Sequence, residues 1–430
     1  MLLSEIKQVI GSIAEVEGDG SQDIRFLLTD SRQLGAEPQA TLFFAIKTDK
    51  NDGANYISEL QSRGVKAFVR GNALAALQAL AAHVRSQFAG TVIGITGSNG
   101  KTVVKEWLYQ LLKEDYTVVR SPKSYNSQIG VPLSVWQLEP HLTSPQGEGN
   151  DPSVTPVILA IGHSAHDTYR MLATEGVALE TKGFAMGVRA EHPQSLINQL
   201  MYHSTNVEYV GNASYSLVTQ VDGRGVYSFC MCPGGHIVPA GSEAGSCVVN
   251  GMSASHRNSP YANSGMVVQI NPEDIEGENP LRGLEFQEAL ERLAFEHGGP
   301  QAQAPAQRLK DFVEGRASKD LPACSYLPGI VPSRLDLWLP VHIGKRLQQG
   351  FRDFDRKYPG FLTNEAVILG VESRSSSAVR IPRDPETLES ISTPGLYPCG
   401  EGAGYAGGIT SSALDGINAA LAISKKCAEE

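Results

Sequence analysis

Short apolar runs of strand length alternate with longer helix-like runs along this chain, and together they predict α/β structure throughout. The apolar run Thr91–Ile93 predicts a strand, and Val103–Leu112 predicts the helix that follows it. Val157–Ile161 predicts a second strand of this kind, and Thr410–Lys426 predicts a helix close to the end of the sequence. Residues from about 185 to 355 alternate strand-like runs with a helix, which indicates a β-rich region.

A polar stretch from about His141 to Pro156 separates two parts of the chain that contain different kinds of sequence motif. It reads His-Leu-Thr-Ser-Pro-Gln-Gly-Glu-Gly-Asn-Asp-Pro-Ser-Val-Thr-Pro. Proline and glycine at this density interrupt both helices and strands. We therefore predict a flexible to semi-extended linker over residues 141–156.

A glycine-rich loop joins the first predicted strand to its helix and reads Gly-Ile-Thr-Gly-Ser-Asn-Gly-Lys-Thr, ending at Thr102. Gly97 and Gly100 let the backbone curl so that successive N–H groups point at phosphate oxygens, and the helix N-terminus adds positive potential. Lys101 would reach the outer phosphates, and the Thr102 hydroxyl would ligate magnesium. With Asn99, these residues predict a site for ATP and magnesium. The alternative is a glycine-rich turn that contains Gly-Lys-Thr by chance.

Further motifs lie in the first part of the chain, at Thr29–Arg32, Thr41–Ile46, Asp52–Ala54, Gly64–Val69 and Tyr125–Ser134. They resemble the Mur ligases of peptidoglycan synthesis, and among these the ligase that adds D-alanyl-D-alanine to a UDP-muramoyl tripeptide. The resemblance implies a small uridine-nucleotide-binding domain over residues 1–85, in which Ser31 and Arg32 bind substrate. It also implies a truncated central ATP-binding segment with a partial P-loop sheet over residues 86–140, in which Asn126 lies near the nucleotide.

The resemblance to the ligases stops after Trp136–Pro140. The family's next strand delivers a glutamate for magnesium, followed by a histidine, a modified lysine and a C-terminal domain, and the sequence after Pro140 matches none of them. Such ligases form an acyl phosphate and need metal ions to neutralise charge on the transferred phosphoryl group. Phosphate binding alone would leave that reaction undone.

Beyond the linker, six blocks follow one another in the sequence, at Val157–Ser164, Gly187–Pro193, Tyr227–Gly235, Val249–Ser253, Ala262–Gly265 and Ala304–Leu309. They resemble the C-terminal part of bacterial NAD(P)/FAD-dependent oxidoreductases. The resemblance implies that residues 157–430 form a partial FAD-binding fold with an inserted antiparallel substrate domain at about 185–355. It also places Gly162 in a glycine turn against the cofactor.

The segment Thr393–Ile409 contains most of the candidate cofactor-binding residues of this second part. It contains Glu401 among the glycines Gly400, Gly402, Gly404, Gly407 and Gly408. Glycines let the backbone approach a flavin closely before a helix whose N-terminus faces the ligand. The resemblance implies that Glu401 lies near the ribityl chain or the pyrophosphate of FAD. The alternative is a loop that only turns a strand into a helix.

Half of the usual FAD site is not found in the sequence. Enzymes of this type begin with a Gly-x-Gly-x-x-Gly turn, and no such turn precedes Val157. The loop Gly94–Gly100 is no substitute, because its Lys-Thr ending belongs to the ATP type. We expect the missing strand to leave backbone edges and apolar faces exposed.

Three arginines, Arg189, Arg257 and Arg308, are candidates for binding anionic groups of a substrate or cofactor, since guanidinium suits carboxylate and phosphate. Surface positions are the alternative for each. Cys230 and Cys232 lie two apart on a predicted strand, so we expect them to share one face and to serve in packing, with a redox role as the alternative. We expect structural or solvent-facing roles for the histidines His163, His166, His192 and His256, because none has metal-like company in the sequence.

Bulk properties narrow the partners. The chain has 430 residues and a net charge of -10, and nucleic-acid binding draws on a basic footprint, so we expect small-molecule nucleotide ligands and no nucleic acid. The six cysteines lack paired Cys-x-x-Cys spacing. No apolar run approaches the roughly 18 residues that span a bilayer, and the amino terminus lacks the layout of a signal peptide. We therefore expect a cytoplasmic protein without a membrane partner.

Three hypotheses follow from the sequence. The first is an FAD-dependent oxidoreductase of unknown substrate fused to a truncated Mur ligase segment, incomplete as a catalyst. The second is an ATP-dependent ligase of peptidoglycan synthesis. The third is a non-enzymatic chimera with at most weak nucleotide binding.

Overall fold

The computed structural model describes residues 1–48, 51–88, 90, 92–93, 101–114, 116–122, 125, 127–141, 156–241 and 243–429, with the backbone alone at 101–104, 139–141 and 427–429. The described residues fall into two compact units. Those up to 141 belong to the first unit, and those from Pro156 onward belong to the second. Within the described residues, no helix is both long and apolar enough to cross a membrane.

The described residues of the first unit form five α-helices and six strands, besides short 3₁₀ turns. The helices are α1 (Leu3–Ile10), α2 (Ile57–Ser62), α3 (Ala73–Gln87), α4 (Lys101–Leu112) and α5 (Gly130–Val135). The strands are β1 (Ala14–Glu17), β2 (Phe26–Leu28), β3 (Thr41–Phe44), β4 (Lys47–Thr48), β5 (Asn51–Asp52) and β6 (Ala67–Gly71).

A mixed four-stranded sheet in the order β1-β6-β3-β2 forms the centre of the first unit. Strands β2, β3 and β6 run parallel, and β1 is antiparallel to β6. All four residues of β3 are buried, as is typical of a strand covered on both faces. Helix α3 packs its apolar side chains against this sheet. Trp136 packs in the same core, and its indole N–H donates to the Arg25 carbonyl at 3.0 Å. The segment around α5 thus completes the core of the N-terminal domain.

The strand expected at Thr91–Ile93 is not found where the chain is described. Val92 and Ile93 have no strand structure, and the side chain of Ile93 is half exposed. A buried parallel strand needs neighbouring strands for its hydrogen bonds. Between residues 86 and 141, the described part of the chain offers no such neighbour. The partial P-loop sheet stays a prediction, because residues 91 and 94–100 lie outside the described residues, whereas the helix predicted after the loop forms as α4.

The second unit contains seven α-helices and thirteen strands among its described residues, besides short 3₁₀ turns. The helices are α6 (His166–Thr174), α7 (Gln194–Tyr202), α8 (Arg282–Glu296), α9 (Leu309–Glu314), α10 (Leu335–Trp338), α11 (Val341–Lys357) and α12 (Ile409–Glu429). The strands are β7 (Val157–Leu159), β8 (Glu180–Thr181), β9 (Phe184–Pro193), β10 (Val218–Val221), β11 (Arg224–Cys232), β12 (His236–Pro239), β13 (Val249–Met252), β14 (Tyr261–Ile270), β15 (Ala304–Arg308), β16 (Ile330–Pro332), β17 (Val367–Glu372), β18 (Val379–Arg380) and β19 (Leu396–Pro398).

A seven-stranded sheet in the order β10-β11-β14-β9-β17-β15-β16 dominates the second unit. Its pairings are antiparallel except that of β15 with β16. Helix α11 packs on the sheet, and its apolar residues recur at helical spacing at Ile343, Leu347, Phe351 and Phe354. Strand β17 lies inside the sheet, so this β-rich region extends beyond the boundary near residue 355 that the sequence predicts.

The strands β7 and β19 form a second, smaller sheet, in which they run parallel. The helix α6 follows β7, and the long helix α12 follows β19. Leu159, Ile161, Tyr169 and Leu172 belong to a small apolar core beside this pair. The predicted glycine-rich segments lie between each strand of this pair and the helix that follows it.

Candidate functional site

The carboxyl ends of β7 and β19 lie side by side, because the two strands are parallel with Leu396 opposite Val157 and Pro398 opposite Leu159. The turn after β7 contains Gly162, and the turn after β19 begins at Gly400. Ligands of α/β proteins bind at the carboxyl ends of parallel strands. The two predicted glycine segments therefore meet at the edge of the sheet where such a ligand binds.

Both turns depend on glycine. Gly162, Gly400 and Gly404 have φ angles of 70°, 76° and 86°, a conformation that other residues rarely adopt. Gly402 needs the absence of a side chain for another reason, since a Cβ there would lie 2.5 Å from the Gly162 carbonyl oxygen and 2.6 Å from its nitrogen. The two turns are thus in direct backbone contact.

The Tyr169 side chain of α6 connects the two turns. Its hydroxyl donates to the carbonyl of Gly402 at 2.6 Å, and the Gly162 carbonyl oxygen lies 3.3 Å away. Burial raises the pKa of Tyr169 to about 12, so the phenol keeps the proton that it donates.

Asp415 of α12 holds the turn after β19 in place. Its carboxylate accepts the Gly400 N–H at 2.7 Å and both terminal nitrogens of Arg383, at 2.6 and 3.0 Å. Burial raises the pKa of Asp415, but the hydrogen bonds from Arg383 and Gly400 outweigh burial and leave the pKa below its ordinary value. Arg383 also donates to the Pro398 carbonyl at 2.6 Å, so one ion pair fixes both the end of β19 and the turn.

Glu401 projects from this turn beside His163 of the other turn. The His163 Nδ1 lies 3.1 Å from a Glu401 carboxylate oxygen, and both side chains are about one quarter exposed. That contact lacks hydrogen-bond geometry, and Nδ1 is buried with no hydrogen-bond partner among the described residues. The site therefore holds a polar atom that a bound ligand would satisfy.

Two cationic side chains, those of Lys182 and Arg380, accompany Glu401. Burial lowers the pKa of Lys182, the nearby Arg380 lowers it further, and the charge of Glu401 raises it. Arg380 packs against Gly404, where an added Cβ would lie 3.1 Å from the Arg380 Cα and Cβ atoms. Neither residue belongs to a recognisable sequence motif. Lys182 directly follows β8 and Arg380 ends β18, so the pairing of these two strands brings the two residues together.

Gly407 and Gly408 lie at the amino end of α12. Both are exposed, and a Cβ at either would meet no atom within 4 Å. A helix N-terminus with open space before it suits an anionic group such as a pyrophosphate, while a carboxylate such as Glu401 accepts hydrogen bonds from hydroxyl groups. The orphaned His163 nitrogen, the open helix end and Glu401 together fit the phosphate and ribityl parts of FAD.

The three candidate arginines lie in different surroundings. The guanidinium of Arg189 is fully buried, where it pairs with Glu372 at 3.0 Å and donates to Asn263 and to the Cys230 carbonyl. This corrects the expectation of a ligand contact, because a guanidinium without exposed surface offers a ligand no approach. Arg308 pairs with Asp320 at 2.8 Å and donates to the carbonyl of Asn364, and its role toward a ligand stays a prediction.

Arg257 is exposed, in a turn where its own φ is 47°. Its carbonyl accepts a hydrogen bond from Asn212 at 2.7 Å, so its backbone is fixed while its side chain faces outward. A role for Arg257 in ligand binding stays a prediction.

The cysteines also depart from expectation. A β-bulge lies between Phe229 and Cys232, and Cys230 within it has a φ of 45°. The bulge breaks the alternation on which a shared face depends. Cys230 is exposed and Cys232 is partly buried, so the expectation of common packing is wrong for Cys230.

In the first unit, Ser31 is buried at the start of a short 3₁₀ turn, and its carbonyl accepts a hydrogen bond from Arg63 at 3.1 Å. Arg32 is exposed and forms a bidentate pair with Asp30 at 2.8 and 2.9 Å. The role of Ser31 and Arg32 in substrate binding stays a prediction.

The ATP-type loop falls mainly outside the described residues. Gly97, Asn99, Gly100 and Asn126 all lie there. Lys101 and Thr102 form the first turn of α4, where the backbone alone is described. The predicted contacts of these residues with ATP and magnesium stay predictions.

Comparison with known families gives two separate matches. Residues 183–375 match the family described as FAD-dependent protein, C-terminal domain-like. Residues 95–143 match the family described as Mur ligase middle domain.

The chain is also similar to individual proteins over part of its length. An uncharacterized protein of Clostridium beijerinckii is 46% identical over 283 residues, which is 65% of this chain and 53% of that protein. The UDP-N-acetylmuramoyl-tripeptide--D-alanyl-D-alanine ligase of Borreliella burgdorferi is 30% identical over 163 residues, covering 32% of this chain and 34% of the ligase. The crystal structure of MurF from Acinetobacter baumannii is 25% identical with a TM-score of 0.28, covering 32% of this chain and 33% of that one.

The chain thus spans about half the length of the first relative and about one third of the ligase. It combines a region similar to the family of FAD-dependent C-terminal domains with a region similar to the Mur ligase middle domain, as in a chimera.

Proposed function

We propose that the second unit is an FAD-dependent oxidoreductase module, with the FAD bound where the turns after β7 and β19 meet. The observation that carries this proposal is the direct contact of the turns at Gly162 and Gly402, beside the open amino end of α12. The match of residues 183–375 to an FAD-dependent family supports it.

Each residue of the site has a defined task in this proposal. The exposed glycines Gly407 and Gly408 leave room for the pyrophosphate at the helix N-terminus, where backbone N–H groups and the helix dipole favour negative charge. Lys182 and Arg380 add positive charge nearby. Glu401 accepts hydrogen bonds from hydroxyl groups of the ribityl chain. The His163 Nδ1, which has no hydrogen-bond partner among the described residues, forms a hydrogen bond with the cofactor.

The bound flavin would supply hydride or electron transfer, and the protein supplies position and electrostatics. Asp415 and Arg383 keep the turn at Gly400 in place, because their ion pair holds the Gly400 N–H and the Pro398 carbonyl together. Tyr169 keeps the second turn against the first. These residues are positioning residues rather than groups that touch the reacting atoms.

The test is a visible absorption spectrum of the purified full chain, taken before and after FAD is added and the excess removed. We expect the chain to retain flavin absorbance. Glu401→Gln should weaken FAD retention, because an amide is a poorer acceptor than a carboxylate. Glu386→Gln is the matched control, since Glu386 is exposed in a turn outside the site. A colourless wild-type chain that takes up no FAD would refute the proposal.

ATP binding at Lys101 is the second candidate function, and the family match of residues 95–143 favours it. The helix α4 begins at Lys101, as a phosphate loop requires. Titration with ATP and magnesium in a calorimeter tests it, with Lys101→Ala as the variant and Lys113→Ala, exposed just beyond the far end of the same helix, as the control. Equal heats from the wild type and Lys101→Ala would exclude this site, independently of the flavin result.

A further inference from the structure

His166 occupies an unusual position at the start of α6. Its side chain is 2% exposed, and its Nδ1 lies 2.9 Å from a Glu288 carboxylate oxygen and 3.0 Å from a Glu243 carboxylate oxygen. The three residues come from α6, from α8 and from the segment between β12 and β13. This arrangement corrects the expectation that no histidine has metal-like company, because the fold rather than the sequence spacing brings the two glutamates to His166.

The two short contacts are not hydrogen bonds. Nδ1 of His166 is buried without a hydrogen-bond partner among the described residues, although two carboxylate oxygens lie within 3.0 Å of it. A protonated imidazole in an ordinary ion pair would point its N–H at one of these oxygens. The structure shows instead three ligand atoms that converge, all within 4.8 Å of one another.

The spacing of these atoms suits a metal ion. Two ligands about 2.0–2.2 Å from one ion lie about 3.0 Å apart when they are at right angles, as in octahedral coordination, and about 3.4 Å apart in tetrahedral coordination. The separations of 2.9 and 3.0 Å between Nδ1 and the two carboxylate oxygens match the octahedral value. One imidazole nitrogen with two carboxylates is a donor set for divalent ions such as Zn²⁺, Co²⁺, Fe²⁺ or Mn²⁺.

The cluster is also accessible to an ion. Arg170 donates to both oxygens of Glu288 at 2.6 Å, but its side chain is 49% exposed, so solvent screens its charge. Glu243 is 42% exposed, so one side of the cluster is open to solvent for entry of an ion and for water ligands.

We propose that His166, Glu243 and Glu288 form a binding site for one divalent transition-metal ion. The ion joins the start of α6 to α8 and to the segment that carries Glu243. Because α6 begins four residues after Gly162, the ion also steadies the turn that ends β7. This site is separate from the flavin proposal and does not depend on it.

The experiment uses the full chain, freed of metal with a chelator and titrated with Co²⁺, whose visible absorption reports the ligands. We expect binding of one ion with the weak visible bands of nitrogen and oxygen ligands. Glu243→Gln should raise the dissociation constant at least about tenfold, since a lost ligand costs no less than a lost outer-shell partner. Glu296→Gln, an exposed glutamate on α8, is the matched control and should bind as the wild type does.

Glu243 is the residue to change first because it is partly exposed, so the variant should fold, and circular dichroism checks that it does. His166→Gln is the second variant and should also lose the ion. Equal Co²⁺ affinity in the wild type and a folded Glu243→Gln overturns the proposal. Failure of the wild type to bind Co²⁺ overturns it as well, and so does an intense thiolate-to-cobalt band that Glu243→Gln leaves unchanged.

Discussion

The seven-stranded sheet and the β7–β19 pair belong to the same unit but differ in how they are covered. All six residues of β17 are buried, and nine of the ten residues of β9 are buried. In contrast, Val157 of β7 is 46% exposed, and α12 exposes Ile409, Leu414, Ile417 and Leu421 by 93%, 58%, 56% and 64%. Elements of the same unit cover the central strands of the large sheet, whereas the strand pair and its helix have open apolar surface.

The two regions therefore have different roles: the large sheet stabilises the unit, and the strand pair carries the proposed ligand site. The large sheet has the extensive apolar core that a self-sufficient domain needs. The strand pair holds the glycine turns of the proposed flavin site on a much smaller core. We therefore expect changes in the sheet to unfold the unit, and changes in the pair to act locally on the site.

The largest effect is expected from Arg189→Met. This change leaves Glu372 buried without its partner, and breaking a buried ion pair in this way costs about 3–5 kcal/mol. Urea unfolding followed by circular dichroism measures the loss, and hydrogen exchange should show it across β9, β14 and β17 together. Arg356→Met is the control, because the Arg356 side chain is 73% exposed in its pair with Asp353. A loss below about 1 kcal/mol would break the comparison, since the sheet would then not depend on its internal charges.

Breaking the ion pair at the strand pair should act differently. Asp415→Asn removes the charge that holds Arg383, and hydrogen bonds to charged groups contribute about 1.5–3 kcal/mol. Hydrogen exchange should speed up near Gly400 and the start of α12 while β9 stays protected. Equal loss of protection in β9 would contradict the separation of the two regions.

The same ion pair gives a pH dependence. The pKa of Asp415 is lower in the folded protein than its ordinary value, because the hydrogen bonds from Arg383 and Gly400 outweigh the effect of burial. Its contribution is therefore full above the pKa of an unfolded aspartate and is lost as the pH falls through the folded pKa. Exchange at Gly400, corrected for the intrinsic pH dependence of amide exchange, should accelerate in acid for the wild type, and it should change less with pH in Asp415→Asn.

Gly402→Ala tests the contact of the turns. The new methyl group would meet backbone atoms of Gly162 at 2.5 to 2.7 Å, and overpacking of this kind costs about 1–3 kcal/mol. We expect FAD retention to fall because the turns move apart. Gly416→Ala is the control, since a Cβ at this position of α12 would meet only the Cys399 sulfur at an ordinary 3.9 Å, and its retention should stay near that of the wild type. Equal losses in both variants would show that the contact of the turns is not what matters.

The sequence was informative where local geometry decides the structure and poor where distant contacts do. Gly162 and Gly400 were predictable as turn residues because their positive φ favours glycine whatever surrounds them. The burial of Arg189 was not, because its partner Glu372 lies on β17, far along the chain. The environment of His166 depends likewise on α8 and on the segment of Glu243, and no spacing in the sequence announces that convergence.

Cys230 gives the same lesson within a single strand. Alternation predicted a face shared with Cys232, but the bulge after Phe229 turns Cys230 outward. A bulge depends on the pairing partner β14, which pattern analysis of one strand does not include. Lys182 and Arg380 were missed for a related reason, since two short strands that are distant in sequence bring them together.

The smallest effect is expected on the exposed face of α12. Leu421→Ser removes an apolar side chain that is 64% exposed, and substitutions at such positions change stability by less than about 0.5 kcal/mol. Leu290→Ser is the matched contrast, because Leu290 of α8 is 3% exposed and its loss should cost several times more. Urea unfolding of both variants gives the difference, and light scattering at increasing concentration should show less association for Leu421→Ser, since exposed apolar patches favour contacts between molecules. A cost for Leu421→Ser as large as that for Leu290→Ser would mean that this face of α12 is covered in the folded protein, and the contrast between a closed sheet and an open strand pair would no longer hold.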